Sequence, residues 1–424
     1  MYLTETHRVY KDNPYYKMLD DYCFKGKNLY NNAMYHIRQY YLYYRSLQDN
    51  KPIENLNLPA YLLDYMKDKG SYIDYYKLDY LSKQLNNSLT EDYKSLPISS
   101  CSQGVLKQLN QNWQSFFKSI KDFAKHPDKY KGKPKLPKYL DKNGRYLLIL
   151  TNQNCKIKDG YITFPKSFDN FKLQTKVDNI KQVRVIPKGN YYQIEIVYNK
   201  EDKPLREDNN KYLSVDIGVN NLAAITNNFN GKQFLISGKP LKSVNQYYNK
   251  LLANYKSKSK RYNGLDSTKR IQSLTENRNN FMKTYMHKAS KLLIDLAVSY
   301  DVSKIVIGYN KDWKQEVNIG KQNNQTFVSI PFLTFVNYVS YKAKLQGIEV
   351  IITEESYTSG TSYIDRELPI KENYNKNRRI HRGLFKSNDG ILLNSDVNGS
   401  YQILKKVIGD YFVKPNSIKV LQVT

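Results

Sequence analysis

Residues 212–228 read YLSVDIGVNNLAAITNN and set one acid, Asp216, in the middle of an apolar run. Leu213, Val215 and Ile217 fall on one face of a strand, with Ser214 and Asp216 on the other. NNLAAITNN reads as a second strand, and NGKQFLIS makes an Asn-Gly hairpin into a third. A buried acid needs partners, either backbone donors near Gly218 or a ligand.

The downstream chain supplies more acids in order. Residues 240–300 read as one long helical stretch, and SKIVIG gives a buried strand at 305–307. SIPFLTFVNYVSYKAKLQG places Ser and Pro at the start of a helix over 331–345. IEVIITEESYTS is a strand ending in Glu354 and Glu355, which alternation sends to opposite faces. LLNSDVNGSYQILKKVIGDYF starts a helix at Asp396, capped by Asn394 or Ser395. The order βββ-α-β-α-β-α is that of an RNase H-like fold. Acids then sit at the first strand, a late strand end and the last helix start. Two divalent ions about 4 Å apart need several carboxylate oxygens converging on them. Mg2+ prefers hard oxygen ligands, and acids gathered without a cation would repel.

The first third is helical. Leu19, Tyr22, Leu29, Met34, Ile37 and Tyr41 recur at helical spacing, as do Val105, Leu109, Trp113, Phe116, Phe117 and Ile120. The second set reads as core. KYKGKPKLPKY (129–139) packs Lys129, Lys131, Lys133, Lys135 and Lys138 between Pro and Gly, either a solvated linker or a phosphate-contacting strap. From 146 to 198 the period becomes two, as in a small β-barrel or sandwich, and KEDKPLREDNNK then links to the opening stretch.

Across 424 residues, enough for two to four domains, 67 Lys and Arg face 39 Asp and Glu, a net charge of +28. Nucleic acid is the expected partner of such a surface. An AT-rich genome would enrich Tyr, Asn and Lys without binding, but would not by itself deplete Asp and Glu. Three scattered cysteines argue against a disulfide framework and a cysteine zinc site. The polar N-terminus lacks a signal-peptide core, and no long apolar run occurs. A cytoplasmic, bacterial, nucleoid-associated protein with no membrane partner is expected.

SVDIGVNNLAAI, YMHKASKLLIDLA, IVIGYNKDWKQ, EESYTS, HRGLFKSNDGILLNSDVNGS and FKSIKDFAKHPDKYKGKPKLPKY resemble TnpB. TnpB proteins are transposon-encoded RNA-guided DNA nucleases related to type V CRISPR effectors and to eukaryotic Fanzor. The resemblance covers the C-terminal half best. It implies an α+β multidomain fold: a helical recognition lobe, a small wedge β-barrel, and an RNase H-like (RuvC) mixed α/β nuclease domain. The expected boundaries are 1–13 for a first wedge segment, 14–127 for the helical lobe, 128–207 for the barrel and 208–424 for the nuclease. It also implies a noncoding guide RNA, double-stranded target DNA next to a short target-adjacent motif, and Mg2+, with Mn2+ as a substitute. Asp216 matches the first catalytic Asp and Asp396 the last.

Two departures stand out. Most members carry the middle catalytic Glu where this chain has Gly308. Some relatives supply it instead just before a Tyr-Thr-Ser, which here is Glu355, with Glu354 as the alternative and Glu316 a remote third. The expected catalytic and metal-binding set is therefore Asp216, Glu355 and Asp396. A nuclease-dead RNA-guided repressor and a compact type V CRISPR effector are the competing readings. The family also places four zinc-ribbon cysteines between YTS and the last Asp. This chain has none there, so no zinc is expected. The insert at about 358–393 is either a metal-free fold or a loop ordered by nucleic acid. Arg378, Arg379 and Arg382, beside His381, are its candidate backbone contacts, or an ordinary solvated basic loop. His287 reads as structural or phosphate-contacting.

Overall fold

The computed structural model describes residues 1–50, 56, 58–86, 88–310, 329–381 and 383–423. The chain divides into two compact units, Met1–Lys200 and Glu201–Thr424. Both mix helices and sheets, so the fold is multidomain α+β.

The first unit carries helices α1 (Tyr16–Asp49), α2 (Ala60–Met66), α3 (Tyr75–Asn86) and α4 (Ser99–Lys125). Its larger sheet is antiparallel, in the order β1 (Tyr2–Tyr10), β7 (Tyr191–Asn199), β6 (Gln182–Lys188), β2 (Leu148–Thr151). A second sheet joins β3 (Lys156–Lys158), β4 (Tyr161–Thr163) and β5 (Lys172–Gln174). The β3–β4 turn is Asp159-Gly160, both at positive φ, which a tight hairpin demands. The helical periods of α1 and α4 meet in one core. Leu19, Met34 and Ile37 pack with Val105, Leu109 and Trp113, against Leu148, Leu150, Val183 and Val185 of the sheet. Each such fully buried side chain contributes about 1.5–3 kcal/mol.

The second unit is built on a six-stranded mixed sheet. Its order is β12 (Glu349–Thr353), β11 (Lys304–Gly308), β8 (Tyr212–Asp216), β9 (Asn221–Asn227), β10 (Gln233–Ser237), β16 (Ile418–Leu421). β8, β9 and β10 form an antiparallel meander through Asn230-Gly231, with Gly231 at φ +69°. β11 and β12 add in parallel on the β8 side, β16 in parallel on the β10 side.

One expectation needs correction. The single helical stretch over 240–300 is two helices, α5 (Lys239–Asn263) and α6 (Lys269–Ser299). Gly264 at φ +64° ends the first. Thr268 starts the second by accepting from the Ile271 N–H.

α6 and α7 (Phe332–Lys344) cover one face of the sheet. Met286, Ala289, Leu293, Phe335, Val336 and Val339 pack against Leu213, Val215, Ile305 and Ile307. α8 (Ser395–Ile408) covers the other, through Val397 and Tyr401 against Ala224, and Ile403 and Leu404 against Val306 and Tyr212. β8 is thus covered on both sides, and its even-numbered residues point toward α8. Among the described residues, no helix is long and apolar enough to cross a membrane.

Candidate active site

Alternation decides where Asp216 points. Leu213 and Val215 belong to the core under α6 and α7, so Asp216, at the end of β8 opposite Ala224, faces α8. Its carboxylate closes on the helix backbone at Gly399. A Cβ there would stand 2.5 Å from Asp216 Oδ2, so only glycine admits the approach. Asp396 precedes Gly399 by three residues, on the same helix face.

The first turn of α8 is fixed by Asn394. Its Oδ1 accepts from the N–H groups of Asp396 (3.0 Å) and Val397 (3.2 Å), as an N-cap should. Asp396 Oδ2 accepts from Asn221 Nδ2 at 2.9 Å, and Arg379 Nη2 lies 3.6 Å from Oδ1. The same Arg379 nitrogen donates to Ser395 Oγ at 3.2 Å. A cleft of about 500 Å3 opens here, lined by Gly218, Asn221, Arg379, His381 and Asp396. Asp216 and Glu355 do not line it.

Glu354 and Glu355 part company just beyond β12. Glu354 is 59 % exposed, accepts from the Ser356 N–H at 2.9 Å and pairs with Lys406. That ion pair, first of all, holds its carboxyl down to about 2. Glu355 turns inward. Its N–H donates to Asn310 Oδ1 (3.1 Å), and its carbonyl accepts from Thr358 Oγ1 (2.8 Å). Its Oε1 is buried without a hydrogen-bond partner. Burial, then the charge of Glu354, pushes its carboxyl up to about 7.

The space that Glu355 enters exists because residue 308 is glycine. Gly308 ends β11, in register with Thr353 of β12. A Cβ on it would stand 2.5 Å from Ile403 Cδ1, 2.8 Å from Glu355 Cγ and 3.0 Å from Glu355 Oε1. A side chain at position 308 and the carboxyl of Glu355 would thus compete for one place.

Asp216 keeps some surface open, yet protein crowds its carboxyl. Burial first, then the charges of Glu355 and Asp396, raise it well above the usual carboxylate range. The charges of Glu355 and Asp396 thus both bear on Asp216, which places three acids near one another at the α8 side of the sheet. Among the described residues, no three His, Cys, Asp or Glu side chains already stand at the spacing of a metal site.

The basic candidates scatter. Lys129, Lys131, Lys133, Lys135 and Lys138 are all exposed, in the first unit. Arg379 reaches Asp396, but Arg378 does not face outward. Its guanidinium is gripped by both Glu367 oxygens and donates to Asn388 Oδ1 at 2.9 Å. Three of the N–H donors of Arg378, expected as a nucleic-acid backbone contact, are thus engaged within the fold. Arg382 and Glu316 lie outside the described residues. His287 stacks on Tyr338 (centroids 3.9 Å, 25°), and burial pushes it down to about 4, a structural position.

Sequence reading missed Gly399, Asn221 and the steric role of Gly308. Gly399 left a signal: glycine costs a helix about 1 kcal/mol, so one inside its second turn asks for a reason. Asn221 left none.

The chain is similar to several known proteins. Residues 195–314 match the OrfB_IS605 family, described as a probable transposase, and residues 332–403 match the Cas12f1-like TNB domain family. A TnpB-like protein, ORF457 of Acidianus two-tailed virus, is 24 % identical over 80 % of this chain and 77 % of its own. Two solved structures are similar at 14 % identity. One is a Cas12f1–sgRNA–target DNA complex (TM-score 0.36, 95 % of this chain and 98 % of that one). The other is a CRISPR-Cas12f ternary complex (TM-score 0.39, 93 % and 82 %). The two family matches lie almost wholly in the second unit and relate it to a probable transposase family and to a Cas12f1-like TNB domain family. The likeness to the TnpB-like viral protein extends over most of the chain.

Proposed function

We propose that this protein is an RNA-guided endonuclease with an RNase H-like (RuvC) catalytic domain, cutting double-stranded DNA next to a short target-adjacent motif. The observation that carries the reading is the buried, unpartnered Glu355 Oε1, in the space left by Gly308 and on the sheet face shared with Asp216. A buried acceptor without a donor costs roughly 1–3 kcal/mol, and a cation is the partner that removes that cost.

The donor chemistry fits Mg2+, or Mn2+ in its place: carboxylate oxygens on three elements, with no sulfur and no imidazole among them. Asp216, Glu355 and Asp396 are the residues that would hold it. Bound there, the metal would activate a water and stabilise the leaving oxygen of a phosphodiester. The rest falls to the protein. Asn221 holds one oxygen of Asp396 and leaves the other toward Arg379. Gly399 lets Asp216 approach the start of α8, and Asn394 fixes that start. Arg379, at the cleft edge, is suited to a backbone phosphate. A noncoding guide RNA reads the target by base pairing. The exposed lysines at 129–138 serve as phosphate contacts.

The competing reading is a nuclease-dead repressor, motivated by Gly308. The place taken by Glu355 argues against it. Expression with the flanking noncoding region, followed by matched plasmid cleavage in Mg2+, separates the two. Cleavage abolished by Asp216→Ala, Glu355→Ala and Asp396→Ala is expected. Tight target binding with no cleavage by wild type would favour the repressor, and normal cleavage by Glu355→Ala would sink the assignment of that acid.

A further inference from the structure

The insert between Glu355 and Asp396 lacks the cysteines of a zinc ribbon, yet it is folded. Three short strands, β13 (Arg379–His381), β14 (Leu384–Lys386) and β15 (Leu392–Asn394), form an antiparallel sheet around the buried Phe385. Two tight turns bear on this sheet, one preceding it and one joining β14 to β15. In the first, over 362–367, Ser362 Oγ accepts from the Asp365 N–H (3.2 Å) and the Ser362 carbonyl from the Glu367 N–H (3.0 Å). In the second, over 387–391, Ser387 Oγ accepts from the Ile391 N–H (3.0 Å) and the Ser387 N–H donates to the Ile391 carbonyl (2.9 Å).

The turns are tied to each other by charge. Asp365 Oδ2 of the first accepts from the Asn388 N–H of the second at 2.8 Å. Arg378 spans both, with a two-pronged grip on Glu367 (Nη2–Oε1 2.7 Å) and a bond to Asn388 Oδ1. Glu367 Oε2 also accepts from the Ser362 N–H at 2.8 Å. The pair is shielded, at 14 % and 17 % side-chain exposure, where forked Arg–carboxylate bonds are strongest. α8 holds the first turn from below: Gln402 Nε2 donates to the Glu367 carbonyl (3.1 Å) and Lys405 Nζ to the Arg366 carbonyl (2.8 Å).

A zinc site does not fit these residues. The turns offer Ser, Asp and Asn rather than thiolates, and their oxygens are already engaged. We propose that Asp365, Glu367, Arg378 and Asn388 form a metal-free clasp that joins the two turns and thereby positions Arg379 against Asp396. Arg378 and Arg379 are consecutive, and both ends of the clasp return to the site: β13 starts at Arg379, and β15 runs into Asn394, the cap of α8. Arg378 is a positioning residue, and its effect on cleavage runs through its neighbour. That last clause rests on the nuclease reading; the clasp itself does not.

The test uses full-length protein. Hydrogen exchange is read at the Ser362 and Asn388 amides, whose acceptors are clasp carboxylates, in wild type, Arg378→Met, Glu367→Gln and the double variant. Removing a charged partner from such a bond should speed exchange about tenfold or more, the double variant no faster than either single. Wild-type exchange should be unchanged by a zinc chelator or by added zinc. Slow exchange in Arg378→Met, or chelator-sensitive exchange in wild type, overturns the clasp. On guide-loaded protein, Arg378→Met and Arg379→Ala should each lower kcat with KM unchanged, with no further loss on combining them and partial rescue by Arg378→Lys. Additive losses overturn the positioning role. Absence of cleavage in wild type overturns the nuclease reading and, with it, only the positioning clause.

Discussion

Gly308 and Glu355 occupy one site between them: the hydrogen of the glycine faces the carboxyl of the acid, with room for no side chain between. The two positions are therefore coupled. Gly308→Ala forces Ile403 and Glu355 to move, which should cost about 1–3 kcal/mol and reduce plasmid cleavage at least tenfold. An acid on β11 should partly replace the one after β12. Gly308→Glu with Glu355→Ala is expected to cut faster than Glu355→Ala alone. Equal rates for those two variants would show that the β11 position cannot serve.

Gly399→Ala offers a cleaner separation of stability from activity. Alanine favours a helix by about 1 kcal/mol over glycine. Its Cβ would strike Asp216 Oδ2, however. The expected result is a melting temperature changed by only a few degrees and a loss of cleavage comparable to Asp216→Ala. Full cleavage by this variant would mean that Asp216 need not approach α8.

The raised carboxyl of Glu355 predicts a pH signature. An acid whose folded pKa lies above its unfolded value keeps its proton longer in the native state. Stability then falls as pH rises from 4.5 to about 7. Glu355→Gln removes this dependence, so it should raise the melting temperature at pH 8 by several degrees and change it little at pH 5. Mg2+ binding needs the ionised acids. Its stabilisation of wild type should therefore grow between pH 6 and 8 and vanish in Glu355→Gln. A thermal-shift series across pH, with and without Mg2+, reads both effects.

Charge removal at 129–138 should act on affinity alone. Replacing Lys131, Lys133 and Lys135 by Ala is expected to weaken nucleic-acid binding and to flatten its salt dependence, by roughly one log-slope unit for each phosphate no longer neutralised. Maximal cleavage at saturating protein should persist. An unchanged salt slope would leave these lysines as ordinary solvated charge.

The elements of the second unit are largely legible in the sequence, because period and punctuation agree there. β8 alternates around Asp216, Asn230-Gly231 marks its hairpin, and Asn394 stands where a cap is needed. The break at Gly264 is signalled by Asn263-Gly264 and by Thr268, but is easily passed over because apolar residues recur on both sides of it. The site is legible as acids in order, but not as contacts. Nothing in the spacing tells that Gly308 makes room for Glu355, since the two meet only across paired strands. Arg378 is hard to read for a related reason. A basic run looks solvated until a distant Glu367 folds back on it.

β1 is synthesised well over a hundred residues before the strand it pairs with. Tyr2–Tyr10 pair with Tyr191–Asn199, so the strand must wait for nearly the whole first unit to leave the ribosome. α1 and α4 can collapse on each other meanwhile, since their contacts need only residues up to about 125. During that interval Tyr2–Tyr10 is an unpaired, Thr- and Tyr-rich strand, a template for any other exposed edge. Glu5 and Arg8 put charge on that segment, the kind of residue that discourages edge pairing before the partner strand is made.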